Sequence, residues 1–105
     1  MLSDDDAEKA VDFLRDNARK AAQATANREY LDEFKKVVRA QIMRENADKP
    51  IGTQEAIAQA DARYVLHLKT LQDAIEHDEY MSWMMKAAEV KFDLWRTQSA
   101  NVRKA

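Results

Sequence analysis

The chain has no cysteine, a single glycine, a single proline and no strong excess of either charge. Each absence excludes something. Without cysteine there is no disulfide to staple the fold and no thiolate to attack a substrate or hold a soft metal. One glycine cannot build a glycine-rich phosphate cradle, and no G-x-x-x-x-G-K-[ST] stretch occurs. A net charge of −2 and a pI of 5.7 give no general attraction to nucleic acid or anionic lipid. No apolar run in the sequence reaches the roughly 18–20 residues that span a bilayer. The acidic start MLSDDDAEKA lacks the apolar segment of a secretory signal. The expectation is a cytoplasmic protein with no membrane contact.

What is present points to long helices. Charged residues make up 34% and apolar residues 46% of 105 residues, with Ala, Glu, Lys, Leu, Gln and Arg recurring throughout. That length predicts one domain. The lone Pro50 and Gly52 fall together in DKPIGTQ (48–54), so turn chemistry concentrates there. Ser3 is placed to cap a first helix, with Asp6 bonding back as in a capping box and Asp4 and Asp5 at the positive end of the dipole. The predicted order is a helix over 4–46, a turn over 47–53, a short helical stretch over 53–60 capped by Thr53, and a helix over 62–102. Asp61 is a candidate cap for a fresh start, with a helix that runs through from 53 as the alternative. Two long helices joined by one connection predict an all-α, coiled-coil-like antiparallel hairpin.

Apolar periodicity refines this. Ala7, Val11, Leu14, Ala18 and Ala21 form one stripe on the first helix, and Leu31, Phe34, Val38 and Ile42 another. Tyr64, Leu68, Leu71 and Ile75 form one stripe on the second helix, and Met81, Met85, Ala88, Phe92 and Trp95 another. Within each helix the second stripe is rotated from the first, in 21–29 and in 76–79. The hairpin is therefore expected to contain two packing units that change face at one level.

The stretch EYMSWMMKAAEVKFDLWR (79–96) carries apolar residues over roughly 240° of a helical wheel, against the roughly 100° of a one-sided amphipathic helix. Met81, Met84, Met85, Ala88, Phe92 and Trp95 take one face; Trp83, Ala87, Val90 and Leu94 take a second. An alanine-rich first helix cannot cover both. The expected cover is a second copy, giving a homo-oligomeric four-helix bundle, dimer or tetramer. The interface residues are then Met81, Trp83, Met84, Met85, Ala88, Val90, Phe92, Leu94 and Trp95. The bland alternative is that residues 53–61 fold back, or the helix breaks, and a single chain hides the patch.

No catalytic constellation appears. Ser3, Ser82 and Ser99 lack a neighbouring histidine, and adjacent acids such as Asp32 and Glu33 diverge on a helix. His77 has Ala74 where a Glu-x-x-His metal motif needs its acid, so 76–79 reads as a solvated charged segment. His67 reads as a half-buried packing residue. No enzyme activity, cofactor or metal is expected. Lys91, Arg96, Arg103 and Lys104 mix with Phe92 and Trp95 as cations and aromatics do in single-strand binders, which keeps nucleic-acid contact as an alternative. A third reading sets an acidic surface, Asp4 to Asp6 or 76–79, against a basic site on a host enzyme.

REYLDEFKK (28–36), AIAQADARY (56–64) and WMMKAAEVKFDLWRTQSAN (83–101) together resemble small all-helical proteins of unassigned activity encoded by tailed phages and prophages. Such proteins are often found among early genes near recombination and replication functions. The resemblance spans most of the chain and implies a non-enzymatic accessory or adaptor role in phage DNA metabolism. It carries over no functional residue.

Overall fold

The computed structural model describes residues 1–104 and contains three helices: α1 (Asp4–Glu45), α2 (Ile51–Ala60) and α3 (Ala62–Lys104). Among the described residues there is no strand, and no helix is long and apolar enough to cross a membrane.

The start of α1 is a reciprocal cap. The Ser3 amide donates to Asp6 Oδ2 at 2.9 Å, and the Asp6 amide donates to Ser3 Oγ at 3.1 Å. The bond from the Ser3 backbone, then that from its hydroxyl, holds the Asp6 carboxyl below its ordinary range. At the other end α1 tightens into a turn, with Asn46, Ala47 and Lys49 amides each donating to the carbonyl three residues back.

The next helix begins at Ile51, two residues before the predicted start, and Thr53 is not its cap. Pro50 stands at the N-cap with φ −57° and ψ 151°, and its carbonyl accepts from the Gln54 amide at 3.0 Å. Gln54 Nε2 also donates to the Lys49 carbonyl at 2.7 Å. Gly52 is consequently helical rather than a turn residue, and its φ is not positive.

Asp61 breaks the helix at φ −65° and ψ 135°. Its Oδ1 accepts from the Arg63 amide at 2.8 Å, which caps α3. The Arg63 guanidinium makes a fork to both Glu45 oxygens at 2.7 Å and also reaches Asp61 Oδ2 at 3.0 Å. One arginine therefore ties the end of α1 to the start of α3. Its hydrogen bonds hold the Glu45 and Asp61 carboxyls below their ordinary range.

The chain divides into two compact units, one built from residues 1–23 with residue 78 onward and the other from Ala24–His77. The boundaries fall inside the two stretches, 21–29 and 76–79, where the sequence predicted a change of face. In each unit α1 and α3 segments run antiparallel. In the first, the Leu2 amide donates to Gln98 Oε1 and Trp95 Nε1 donates to Asp4 Oδ1, both at 3.0 Å. In the second, His67 Nε2 lies 2.7 Å from the Leu31 carbonyl, and Arg39 reaches Glu55 of α2 at 3.7 Å. A carbonyl only accepts, so Nε2 of His67 carries the hydrogen.

The predicted rotation of the stripes is not what burial shows. On α1 the buried and half-buried positions include Ala7, Ala10, Leu14, Asn17, Ala21, Ala24, Arg28, Leu31, Lys35, Val38 and Ile42. On α3 they include Tyr64, His67, Leu71, Ala74, Asp78, Met81, Met85, Ala88, Phe92, Trp95 and Ser99. Both rows alternate steps of three and four without losing phase. Val11, Ala18, Leu68 and Ile75, assigned to the stripes from their apolarity, are exposed. Ala10, Asn17, His67 and Ala74 take their places. At these four positions a small or polar residue holds the line of contact, and the apolar side chain beside it flanks the row. Asp78, expected in a solvated segment, is buried at 7% exposure and is not without a partner.

The connection can be tested at both of its ends. A Cβ added at Gly52 would meet nothing within 4 Å. Gly52→Ala should therefore raise unfolding stability by about 0.5–1 kcal/mol in a urea titration, because it restricts the unfolded chain and suits a helix. The depressed Glu45 and Asp61 carboxyls stabilise the fold above the ordinary carboxylate range near pH 4 and lose that contribution as pH falls through their folded-state values. Arg63→Gln should lower stability at pH 7 and flatten its acid decline, read from urea midpoints between pH 7 and pH 2.

Candidate functional site

Unit one contains every predicted interface residue, and burial sorts them into two groups. Met81 and Ala88 are buried, and Met85, Phe92 and Trp95 are half-buried, all on the side of α3 that meets α1. The Phe92 and Trp95 rings lie 5.7 Å apart at 34°, and the Trp95 indole N–H is taken by Asp4. These five serve the inside of the unit. Trp83, Val90 and Leu94 are 70%, 52% and 48% exposed, and Met84 is 37% exposed. α3 runs unbroken through 79–96, and these four side chains stand exposed on the single chain.

Two further residues extend the exposed group. Tyr80 is 60% exposed and Ala87 is also exposed. Tyr80, Trp83, Ala87, Val90 and Leu94 follow steps of three, four, three and four, the same period as the buried row. They lie roughly 140° around α3 from it. Tyr80 was missing from the predicted interface although its spacing from Trp83 was legible. The second row is therefore a complete helical seam facing outward, not a scatter of single apolar residues.

Open grooves lie between α1 and α3 of this unit. One, of about 250 Å³, is floored by Ala10, Phe13, Met84, Ala87 and Ala88 and edged by Lys9 and Lys91. Met84 and Ala87 join it to the outward seam. Another, of about 580 Å³, is edged by Asp4, Glu8, Asp12 and Arg15 above Val11, Phe92 and Trp95. Neither groove encloses a nucleophile with a base beside it.

The charged candidates are largely engaged in local structure. Asp5 pairs with Lys9 at 3.0 Å, which raises the lysine's pKa. Asp6 caps α1, and Asp4 holds Trp95. The acidic start predicted to meet a foreign basic site thus has structural work in this fold. Of the predicted nucleic-acid contacts, Arg96 reaches Asp93 at 3.5 Å, and Lys91 edges the smaller groove near enough to Asp6 to lower its pKa. Arg103 and Lys104 are exposed in the last turn of α3. Phe92 and Trp95, the aromatic half of that reading, face α1 rather than standing clear as a stacking platform. His77 is exposed, and His67 is half-buried 5.7 Å from the Phe34 ring. No group of three or more metal-ligating side chains occurs among the described residues.

Against known proteins, the chain matches no family model, no curated protein and no solved structure.

The two tryptophans should separate interior from surface. At a protein concentration dilute enough to hold single chains, Trp95→Ala should cost about 2–3 kcal/mol, below the full-burial range because the ring is only half covered. Trp83→Gln should change stability by less than about 0.5 kcal/mol. Urea unfolding followed by far-ultraviolet circular dichroism reads both.

Proposed function

We propose that this protein is a non-enzymatic accessory protein that works by helix-to-helix association, first with copies of itself. The observation that carries this reading is the outward seam of α3, with Tyr80, Trp83, Val90 and Leu94 all about half exposed or more. A row of large apolar side chains at helical-seam spacing is what an associating helix presents, and monomeric proteins rarely leave such a patch uncovered. Two copies joined through α3 form a four-helix bundle with the two α3 helices at its centre. The outer charged faces then remain available to a protein partner, as an adaptor requires. The resemblance of 28–36, 56–64 and 83–101 to small phage-encoded helical proteins supports placing that role in phage DNA recombination or replication.

Light scattering coupled to size-exclusion chromatography, run across a concentration series, tests the association. The expected result is a dimer or tetramer for the native chain and a single chain for Trp83→Gln at the same concentrations. The melting temperature should rise with concentration for the first and not for the second, because association stabilises only the folded state. A native chain that stays single at every concentration overturns the reading.

A further inference from the structure

We propose that the outward seam of α3 pairs antiparallel with the same seam of a second copy, in one register fixed by Lys86 and Asp93. This deepens the self-association reading and rests on it. Trp83 and Val90 line one side of the seam; Tyr80, Ala87 and Leu94 line the other. When two such seams meet antiparallel, each layer joins a residue from one side to a residue from the other. Two registers centre on the exposed stretch. The first stacks Trp83 on Leu94 of the second copy and Ala87 on Val90 of the second copy, each contact occurring twice by symmetry. The second stacks Trp83 on Ala87 and Tyr80 on Val90.

The charges beside the seam discriminate between them. Glu79, Lys86 and Asp93 recur every seven residues along one flank of the seam, and all three are exposed. In the first register Lys86 faces Asp93 of the second copy, twice, and no like charges meet. In the second register Lys86 faces Lys86 and Glu79 faces Asp93, so every flanking pair repels. A parallel pairing sets Lys86 against Lys91 of the second copy, again twice. Only the first arrangement has complementary charge. It also suits the side chains: Ala87 and Val90 are small at the centre and let the helices approach, while Trp83 and Leu94 close the two ends. On the other flank Lys91 lies over Met84 of the second copy, where its methylene stem can cover the thioether and its ammonium stays wet.

Charge exchange tests this directly. Lys86→Glu sets the introduced carboxylate against Asp93 of the second copy and should weaken self-association about tenfold, since two exposed pairs turn from attractive to repulsive. Asp93→Lys should do the same by setting the introduced ammonium against Lys86. Mixing the two variants one to one should restore association. In the mixed pair the two introduced charges are opposite in sign and face each other, and the native Asp93 of one copy faces the native Lys86 of the other. Sedimentation velocity of each variant and of the mixture reads the outcome, with circular dichroism checking that the helices are retained. If both variants associate like the native chain while Trp83→Gln does not, the register is wrong and self-association stands. If both variants are weakened and the mixture stays weak, the antiparallel pairing is wrong. If the native chain is single throughout, both proposals fall.

Discussion

Ala7, Ala10, Ala74 and Ala88 sit where α1 and α3 meet, and six of the nine buried apolar residues among those described are alanines. Alanine lets two helix backbones come close, at the short end of helix–helix spacing. It also limits what either helix can hide. A narrow row on α1 can cover a narrow row on α3 and nothing more. The methyl groups supply little buried area per layer, so stability depends on many layers repeated along long helices rather than on a thick centre. Ile42, at 1% exposure, is the only large side chain among the described residues closed off almost completely. The wide apolar arc of residues 79–96 follows from the same limit. Half of it is satisfied inside the unit, and the other half is left outside.

Directional bonds do what the alanines cannot. A row of identical methyl groups costs little to slide by one repeat, because each layer resembles the next. The bond between Trp95 and Asp4, the bond from Leu2 to Gln98, and the approach of His67 to the Leu31 carbonyl each exist at one offset only. Arg63 adds a fork to Glu45 that sets where α3 begins relative to the end of α1. Polar residues within the contact row are consistent with this. Asn17 donates to the Phe13 carbonyl of its own helix and so makes no demand on the opposite one. The pieces that specify register are polar and few, while the pieces that supply area are small and many.

Much of this is legible in the residues, and the departures have two causes. The Ser3 and Asp6 cap and the two long helices follow from short-range chemistry that depends on neighbours in the chain, whereas the sequence leaves a break at Asp61 and a continuous helix equally open. Pro50 suggests a turn, but its fixed φ also suits the residue just before a helix, which is where it stands. The contact rows were read by apolarity, which favoured Val11, Leu68 and Ile75 over Ala10, His67 and Ala74. Where an alanine or a polar residue that can satisfy itself competes for a tight position in this contact, as at Ala10, His67 and Ala74, the bulkier apolar neighbour is displaced to the flank. Asp78 was misplaced for the same reason. The breadth of the apolar arc in 79–96 is legible, because it depends only on how many faces are apolar. Which residues of that arc turned inward required the phase, and the phase was set by the alanines.

The outward seam has a property that the inner contact lacks. Its five residues and the charges beside it all lie on one continuous helix, within 79–94. Their relative positions are fixed by helical geometry alone and do not depend on how α1 is aligned with α3. A shift in the inner contact would disturb Trp95 and Asp4 but leave Trp83, Ala87, Val90 and Leu94 in the same row. The inner face of α3 is thus specified by pairing with α1, whereas the outer face is specified by α3 itself. That division allows one helix to hold its unit together and still carry a defined outward surface.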